Sequence, residues 1–304
     1  MNKEQYNILT PPYLKQGDKI GLISTARKIS KEELQVAIEH IESWGLKIKF
    51  GKNLFNSYHQ FSANDNKRTK DLQTMLDDND IKAIICARGG YGTVRLIDKI
   101  NFSTFQKNPK WIVGFSDVTV LHSHIHNLKI ASLHSTMPVN FSINNLGSIK
   151  SLKDALFGKS INVKAKHHHL NRFGESIGQV VGGNLSILYS LIGSPSDINT
   201  DGKILFLEDI DEYLYHIDRM MISLKRSGKL SNLKGLIIGG MTKMNDNNIS
   251  FGKDAESIIF DTVSEFNYPM CFEFPAGHIK NNRSIKLGLR AKLKVDKKCS
   301  LSYL

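Results

Sequence analysis

The residue that first invites a chemical reading is Ser116. It follows the apolar run Trp111-Ile112-Val113 and precedes a helical pattern, with Gly114-Phe115 between them. Glycine permits a sharp, crowded turn, so Ser116 would stand exposed on a strand-to-helix elbow. Asp117 would then lie in the first helical turn, where backbone N–H groups lack partners and could hold an oxyanion. The segment is not a full GxSxG, and an N-capping serine is the structural counterpart to a nucleophile. A second loop, Ala87-Arg88-Gly89-Gly90-Tyr91-Gly92, follows another apolar strand. It lacks the Lys-Ser/Thr of a P-loop and the GxGxxG spacing of a dinucleotide site, which leaves phosphate binding, oxyanion binding and a plain tight turn open. Glu208 and Asp209 end the apolar run 204–207, and His278 follows Phe274-Pro275-Ala276-Gly277. An imidazole oriented by a carboxylate can take a serine proton and pass it to a leaving amine, and Ser116, His278 and Glu208 could fill those roles. Each also has a plainer reading, Glu208 as a solvated strand-end charge and His278 as a loop histidine.

The elements that must position these residues follow from apolar periodicity. Apolar runs at 20–24, 47–50, 83–87, 111–113 and 130–134 alternate with helical patterns at 31–44 (after the cap Ser30), 66–76 and 118–127, with a short helix after Tyr91. Repeated βα units give parallel strands, with functional residues collecting at their carboxyl ends. From 144 to 178 the pattern dissolves into polar and basic residues with glycines at 147, 158 and 174, and reads as a connecting segment. Beyond it come a helical run at 185–192, a strand at 204–207, a helix at 215–227, a strand at 235–239 and an alternating tail at 290–303. The predicted fold class is α/β: an N-terminal doubly wound parallel sheet with flanking helices over 1–143, a linker over 144–178, and a smaller β-rich α/β C-terminal domain over 179–304.

Composition narrows the function. A chain of 304 residues with 40% hydrophobic and 23% charged residues can bury a real core. Residues 1–7 carry no long apolar stretch after a basic start, and no run of about 18 apolar residues occurs anywhere, so a cytoplasmic protein without membrane contact is expected. Cys86, Cys271 and Cys299 lie far apart without ligand spacing, which argues against disulfides and structural zinc; Cys86 reads as a buried strand residue. The net charge of +12 suits acidic partners, but the lysines are scattered and no nucleic-acid motif accompanies them. His167, His168 and His169 read as a solvated loop.

Taken in order, these motifs resemble the LD-carboxypeptidase family, which includes the microcin C self-immunity peptidases, over nearly the whole chain. The carriers are Pro11-Pro12-Tyr13-Leu14-Lys15-Gln16-Gly17-Asp18-Lys19-Ile20, the glycine loop at 87–92, Gly114-Phe115-Ser116-Asp117, Gly182-Gly183-Asn184-Leu185, Leu207-Glu208-Asp209 with Glu212, Tyr215, Asp218 and Arg219, and Gly277-His278. The resemblance implies a serine carboxypeptidase with Ser116 as nucleophile, His278 as general acid/base, Glu208 as third member, and oxyanion donors from the backbone of Gly90 and Asp117. It implies no metal and no cofactor. The implied substrate is a small muropeptide, cleaved between lysine or meso-diaminopimelate and a terminal D-alanine. Arg88, Gly89, Tyr91 and Phe115 are candidate substrate contacts. Thr25-Ala26-Arg27 and His134-Ser135-Thr136-Met137-Pro138 depart from the family's usual turns, which bears on substrate preference and makes Arg27 and His134 pocket-lining candidates. Alternatives are a microcin-type peptidase acting on an aminoacyl-nucleotide, for which no aromatic-rich loop is evident in the sequence, and a non-catalytic two-domain binding protein. A homodimer is compatible with either.

Overall fold

The computed structural model describes residues 8–304; residues 1–7, on which the leader reading rests, lie outside them. The first layer comprises β1 (Lys19–Ile23), α1 (Lys31–Ser43), β2 (Lys47–Phe50), α2 (Asp65–Asp77), β3 (Ile81–Cys86), α3 (Ser103–Lys107), β4 (Trp111–Gly114), α4 (Thr119–Asn127) and β5 (Ser132–His134). Helix α1 starts on a capping box, with the Ser30 hydroxyl accepting from the Glu33 N–H and the Glu33 carboxylate accepting from the Ser30 N–H. Side chains alternate across the strands. Ile20, Leu22, Ala83 and Ile85 pack toward α1, whereas Ile23, Ile84 and Cys86 pack toward α2, α3 and α4. This is the doubly wound arrangement that the βα alternation predicts.

The chain continues through α5 (Leu146–Leu156), β6 (Asn162–Ala165), β7 (Gly174–Asn184), α6 (Leu185–Ser190), β8 (Ile204–Ile210), α7 (Leu214–Arg226), β9 (Gly235–Thr242), α8 (Ala255–Thr262), β10 (Met270–Cys271), β11 (Ile285–Leu287), β12 (Arg290–Val295) and β13 (Cys299–Tyr303). The second sheet is mixed, ordered β10-β9-β8-β7-β12-β13-β6; its first four strands are parallel and the rest antiparallel. The protein is thus a two-domain α/β molecule, with a mostly parallel first sheet and a mixed second one.

Two features depart from the sequence reading. The stretch 144–178 is not merely connecting: it forms α5 and β6 and enters β7. Gly147 and the lysines Lys150 and Lys153 mask the buried repeat Ile149, Leu152, Ala155 and Leu156, while Asn145 caps the helix. The second is that β11 leaves the C-terminal region and pairs antiparallel with β5, giving the first sheet the order β11-β5-β4-β3-β1-β2. A strand of three residues carries too little periodicity to be recognised in isolation. Among the described residues no helix is long and apolar enough to cross a membrane.

Candidate active site

Strand β4 ends at Gly114, Phe115 is extended, and Ser116 adopts a positive φ of 62°. Only a tightly determined turn holds a non-glycine residue there, at a cost on the order of 1 kcal/mol. Ser116 opens a 3₁₀ turn, Ser116–Val118, that leads into α4. Its hydroxyl caps nothing: the N-cap of α4 is Val118, without a side-chain bond. The geometry is therefore that of an elbow and not of an N-cap. The Gly114 carbonyl is fixed from two sides, accepting from the Ser135 N–H at 3.0 Å and from His122 Nε2 at 2.9 Å. His122 Nδ1 then accepts from the Ser132 hydroxyl at 2.8 Å, and burial pushes this ring down to about 4, so it stays neutral.

The glycine loop abuts the elbow. A Cβ on Gly89 would lie 3.0 Å from Ser116 Cβ and 3.2 Å from its Oγ, so a larger residue would displace the hydroxyl. Arg27 donates its backbone N–H to the Gly89 carbonyl at 3.4 Å, and its side chain lies along Gly90. Among the described residues the backbone N–H groups of Gly90 and Asp117 donate to no partner. The Asp117 side chain is buried and points back at the loop: its Oδ2 accepts from the Thr93 N–H at 2.9 Å and the Thr93 hydroxyl at 2.6 Å. Burial raises this carboxyl, partly offset by the Thr93 bonds. Arg68, fully buried, donates to the carbonyls of Ala63, Thr25 and Gly92 and to Asp65. It thereby ties the turn after β1 to the glycine loop. Nothing in the amphipathic pattern of α2 distinguishes this arginine from an exposed one.

Glu208 and His278 meet from the second domain. His278 Nδ1 lies 2.6 Å from Glu208 Oε2, which also accepts the His278 backbone N–H at 3.1 Å. Glu208 is completely buried, and the β8–β9 register shifts between Leu207 and Asp209, an irregularity of the kind that re-aims a side chain. Burial opposes charge on both partners, yet their mutual attraction and hydrogen bonding win: Glu208 is held below the usual carboxylate value and His278 above the usual imidazole value. An ionised Glu208 accepts from Nδ1–H, which leaves Nε2 as the free nitrogen. Gly277, at φ 102°, makes the close approach feasible, because a Cβ there would lie 2.7 Å from Glu208 Oε2. Among the described residues no hydrogen bond joins Ser116 to His278. The two are neighbours through Phe115, whose ring centroid is 4.7 Å from that of His278. Such bonds often tighten only when substrate binds.

The remaining candidates divide by exposure. Arg27 and Tyr91 are exposed beside the glycine loop, and Gly89 faces Ser116. Arg88 turns toward α1, donating to the Lys28 carbonyl at 3.3 Å and to Glu33 at 3.1 Å. Phe115 and His134 lie beneath the site, not on its wall. His134 has no exposed surface and packs edge-on against Phe206 at 4.8 Å, because the end of β5 is covered by the second sheet. Burial pushes its ring down to about 3. The supporting residues that sequence reasoning missed, Arg68, Thr93 and the side chain of Asp117, act across long chain separations, where local patterns carry no signal.

Comparison with known proteins shows similarity over nearly the whole chain. Residues 20–135 match the family model for the LD-carboxypeptidase N-terminal domain, and residues 177–293 match that for the LD-carboxypeptidase C-terminal domain. The chain is 32% identical over 300 residues to a protein of Bacillus subtilis named "Probable murein peptide carboxypeptidase", covering 96% of this chain and 93% of that one. The crystal structure of muramoyltetrapeptide carboxypeptidase from Oxalobacter formigenes superposes with a TM-score of 0.86 at 27% identity, covering 94% and 98% of the two chains. The microcin C7 self-immunity protein MccF shares the fold, with a TM-score of 0.85 at 19% identity and 98% of each chain covered.

Proposed function

The chain belongs to the LD-carboxypeptidase family, and on that premise we propose that it is a serine carboxypeptidase releasing terminal D-alanine from muropeptides, at the amide that follows lysine or meso-diaminopimelate. The observation that carries this reading is the His278–Glu208 pair, packed against Phe115 next to an elbow serine that is held at positive φ against a glycine loop. In this reading Ser116 Oγ attacks the scissile carbonyl while His278 Nε2 takes its proton. Glu208 fixes the ring's tautomer and stabilises the imidazolium. The oxyanion rests on the N–H groups of Gly90 and Asp117, which have no competing partner among the described residues. His278 then protonates the departing D-alanine amine, and water activated by the same imidazole hydrolyses the acyl-enzyme. Arg27, exposed along Gly90, is suited to the substrate's C-terminal carboxylate.

The test is incubation of the purified protein with tetrapeptide muropeptides containing either diamino acid, with D-alanine followed by mass spectrometry. Release with at least one, lost by roughly 10⁶-fold in Ser116→Ala, is expected. Turnover of neither would sink the assignment. A fluorophosphonate probe should label Ser116, and a folded but unlabelled protein would instead favour a non-catalytic binding module.

One feature favours a second reading, cleavage of an aminoacyl-nucleotide. Tyr213 and Tyr215, both exposed just beyond β8, have ring centroids 5.6 Å apart, with the Arg219 guanidinium 5.2 Å from the Tyr215 ring. A purine could stack on such a face. Hydrolysis of an aminoacyl-adenylate analogue, weakened in Tyr215→Ala, would support it.

A further inference from the structure

We infer that Thr119, Asn184 and Asp209 form an interdomain latch that sets the distance between the nucleophile elbow and the acid-bearing strand β8. This rests on the Ser-His-Glu reading and adds positioning residues to it. The two halves of the proposed triad belong to different sheets, so something must register one against the other to within a fraction of an ångström. Asn184 is the last residue of β7 and the direct register partner of Glu208 in the parallel β7–β8 pair. Its backbone N–H donates to Thr119 Oγ1 at 3.0 Å, and Thr119 is the first residue of α4, three positions after Ser116. Its side-chain amide donates to Asp209 Oδ1 at 2.8 Å, next to Glu208 in the chain, while Asp209 Oδ2 accepts from the Ser186 N–H at 2.8 Å. The Asn184 side-chain oxygen accepts from the Ile187 N–H at 3.1 Å, which fixes the amide's orientation. All three residues are buried.

The Thr119 hydroxyl therefore takes a donor from the other domain in place of capping its own helix. The far end of α4 is tied to the same domain: the Ser123 hydroxyl donates to the Ser196 carbonyl at 2.5 Å, and Asn127 donates to the carbonyls of Pro195 and Asp197 at 3.2 and 2.9 Å. With both ends held, the helix carrying the elbow acts as a strut between the sheets. Loss of one neutral hydrogen bond is small against the stability of a chain this size. Misplacement of a nucleophile is not, since about 1 Å can cost 10²-fold in rate.

The experiment compares the full-length protein with Thr119→Val, which keeps the shape and removes the acceptor, and with Thr119→Ser, which restores it. The readouts are kcat and KM for D-alanine release, the rate of fluorophosphonate labelling, and the melting temperature. Thr119→Val should lower kcat and labelling by about 10- to 10²-fold with KM and melting little changed, and Thr119→Ser should stay within about twofold of the parent. Equal turnover in Thr119→Val and parent overturns the latch, as does an equal loss in Val and Ser variants, which would point to shape. If Thr119→Val does not melt cooperatively, Asp209→Asn breaks the chain from its other end: the same kcat loss is expected, and parental kcat overturns the inference. A folded parent that neither labels nor turns over removes the triad reading itself, and the latch with it.

Discussion

In the proposed triad Ser116, His278 and Glu208 differ in how far their geometry is already set. Glu208 and His278 are already paired at 2.6 Å, whereas Ser116 has yet to join them. Burial and charge oppose each other on His278, and Glu208 wins, lifting the imidazole above its ordinary 6.5. A base must be neutral to accept the serine proton, so kcat/KM should rise with pH through a limb lying above 6.5. Glu208→Gln removes the attraction and leaves burial alone, so the limb should move to lower pH while the plateau falls by roughly 10⁴-fold. A pH–rate profile of both proteins checks this. An unmoved limb would mean that Glu208 does not govern His278 in the working enzyme.

At the level of elements, the elbow and the glycine loop behave as one assembly, because Asp117 reaches from the first turn of the elbow to grip Thr93. Asp117→Asn offers an amide where two donors expect a carboxylate, so the loop should loosen and the Gly90 N–H drift from the oxyanion. Turnover should fall by about 10²-fold with KM little changed, read from steady-state kinetics. Arg68 joins the same loop, through the Gly92 carbonyl, to the carbonyls of Ala63 and Thr25. Arg68→Met strands those acceptors and deprives Asp65 of a buried partner, so urea unfolding should show a loss of about 3 kcal/mol or more. Apolar periodicity made β1, α1, β3, β4, α4 and β8 legible in the sequence within a residue or two at their starts. It gave no hint of Arg68, whose α2 position reads like any solvated cation.

The whole molecule shares its largest core between the two sheets: Leu22, Ile85 and Val113 of the first pack in one cluster with Val180, Phe206 and Ile237 of the second. Strand β11 returns from the C-terminal region to pair with β5. A fragment of residues 8–143 should therefore expose that core face and an open β5 edge, and should aggregate or lack fixed tertiary structure. Co-expression with residues 144–304 should restore a soluble complex. Gel filtration and near-ultraviolet circular dichroism distinguish these outcomes, and a monodisperse fragment with a cooperative melt would show that the first layer folds alone.

By itself the sequence determined the βα alternation, the placement of Ser116 just beyond a strand and, through the order of its motifs, the family; Glu208 and His278, expected just past strand ends, instead lie within β8 and in the loop after β10. What the sequence determined are properties of local periodicity and of residue type, which act over a few positions. Only the tertiary structure decided that Ser116 is an elbow and not a cap, that His134 and Phe115 lie under the site, that β11 completes the first sheet, and that Asp117, Arg68 and Thr119 make hydrogen bonds to distant parts of the chain around it. Each of these depends on contacts between residues far apart in the chain, and no periodicity encodes which distant carbonyl or hydroxyl a buried side chain will meet.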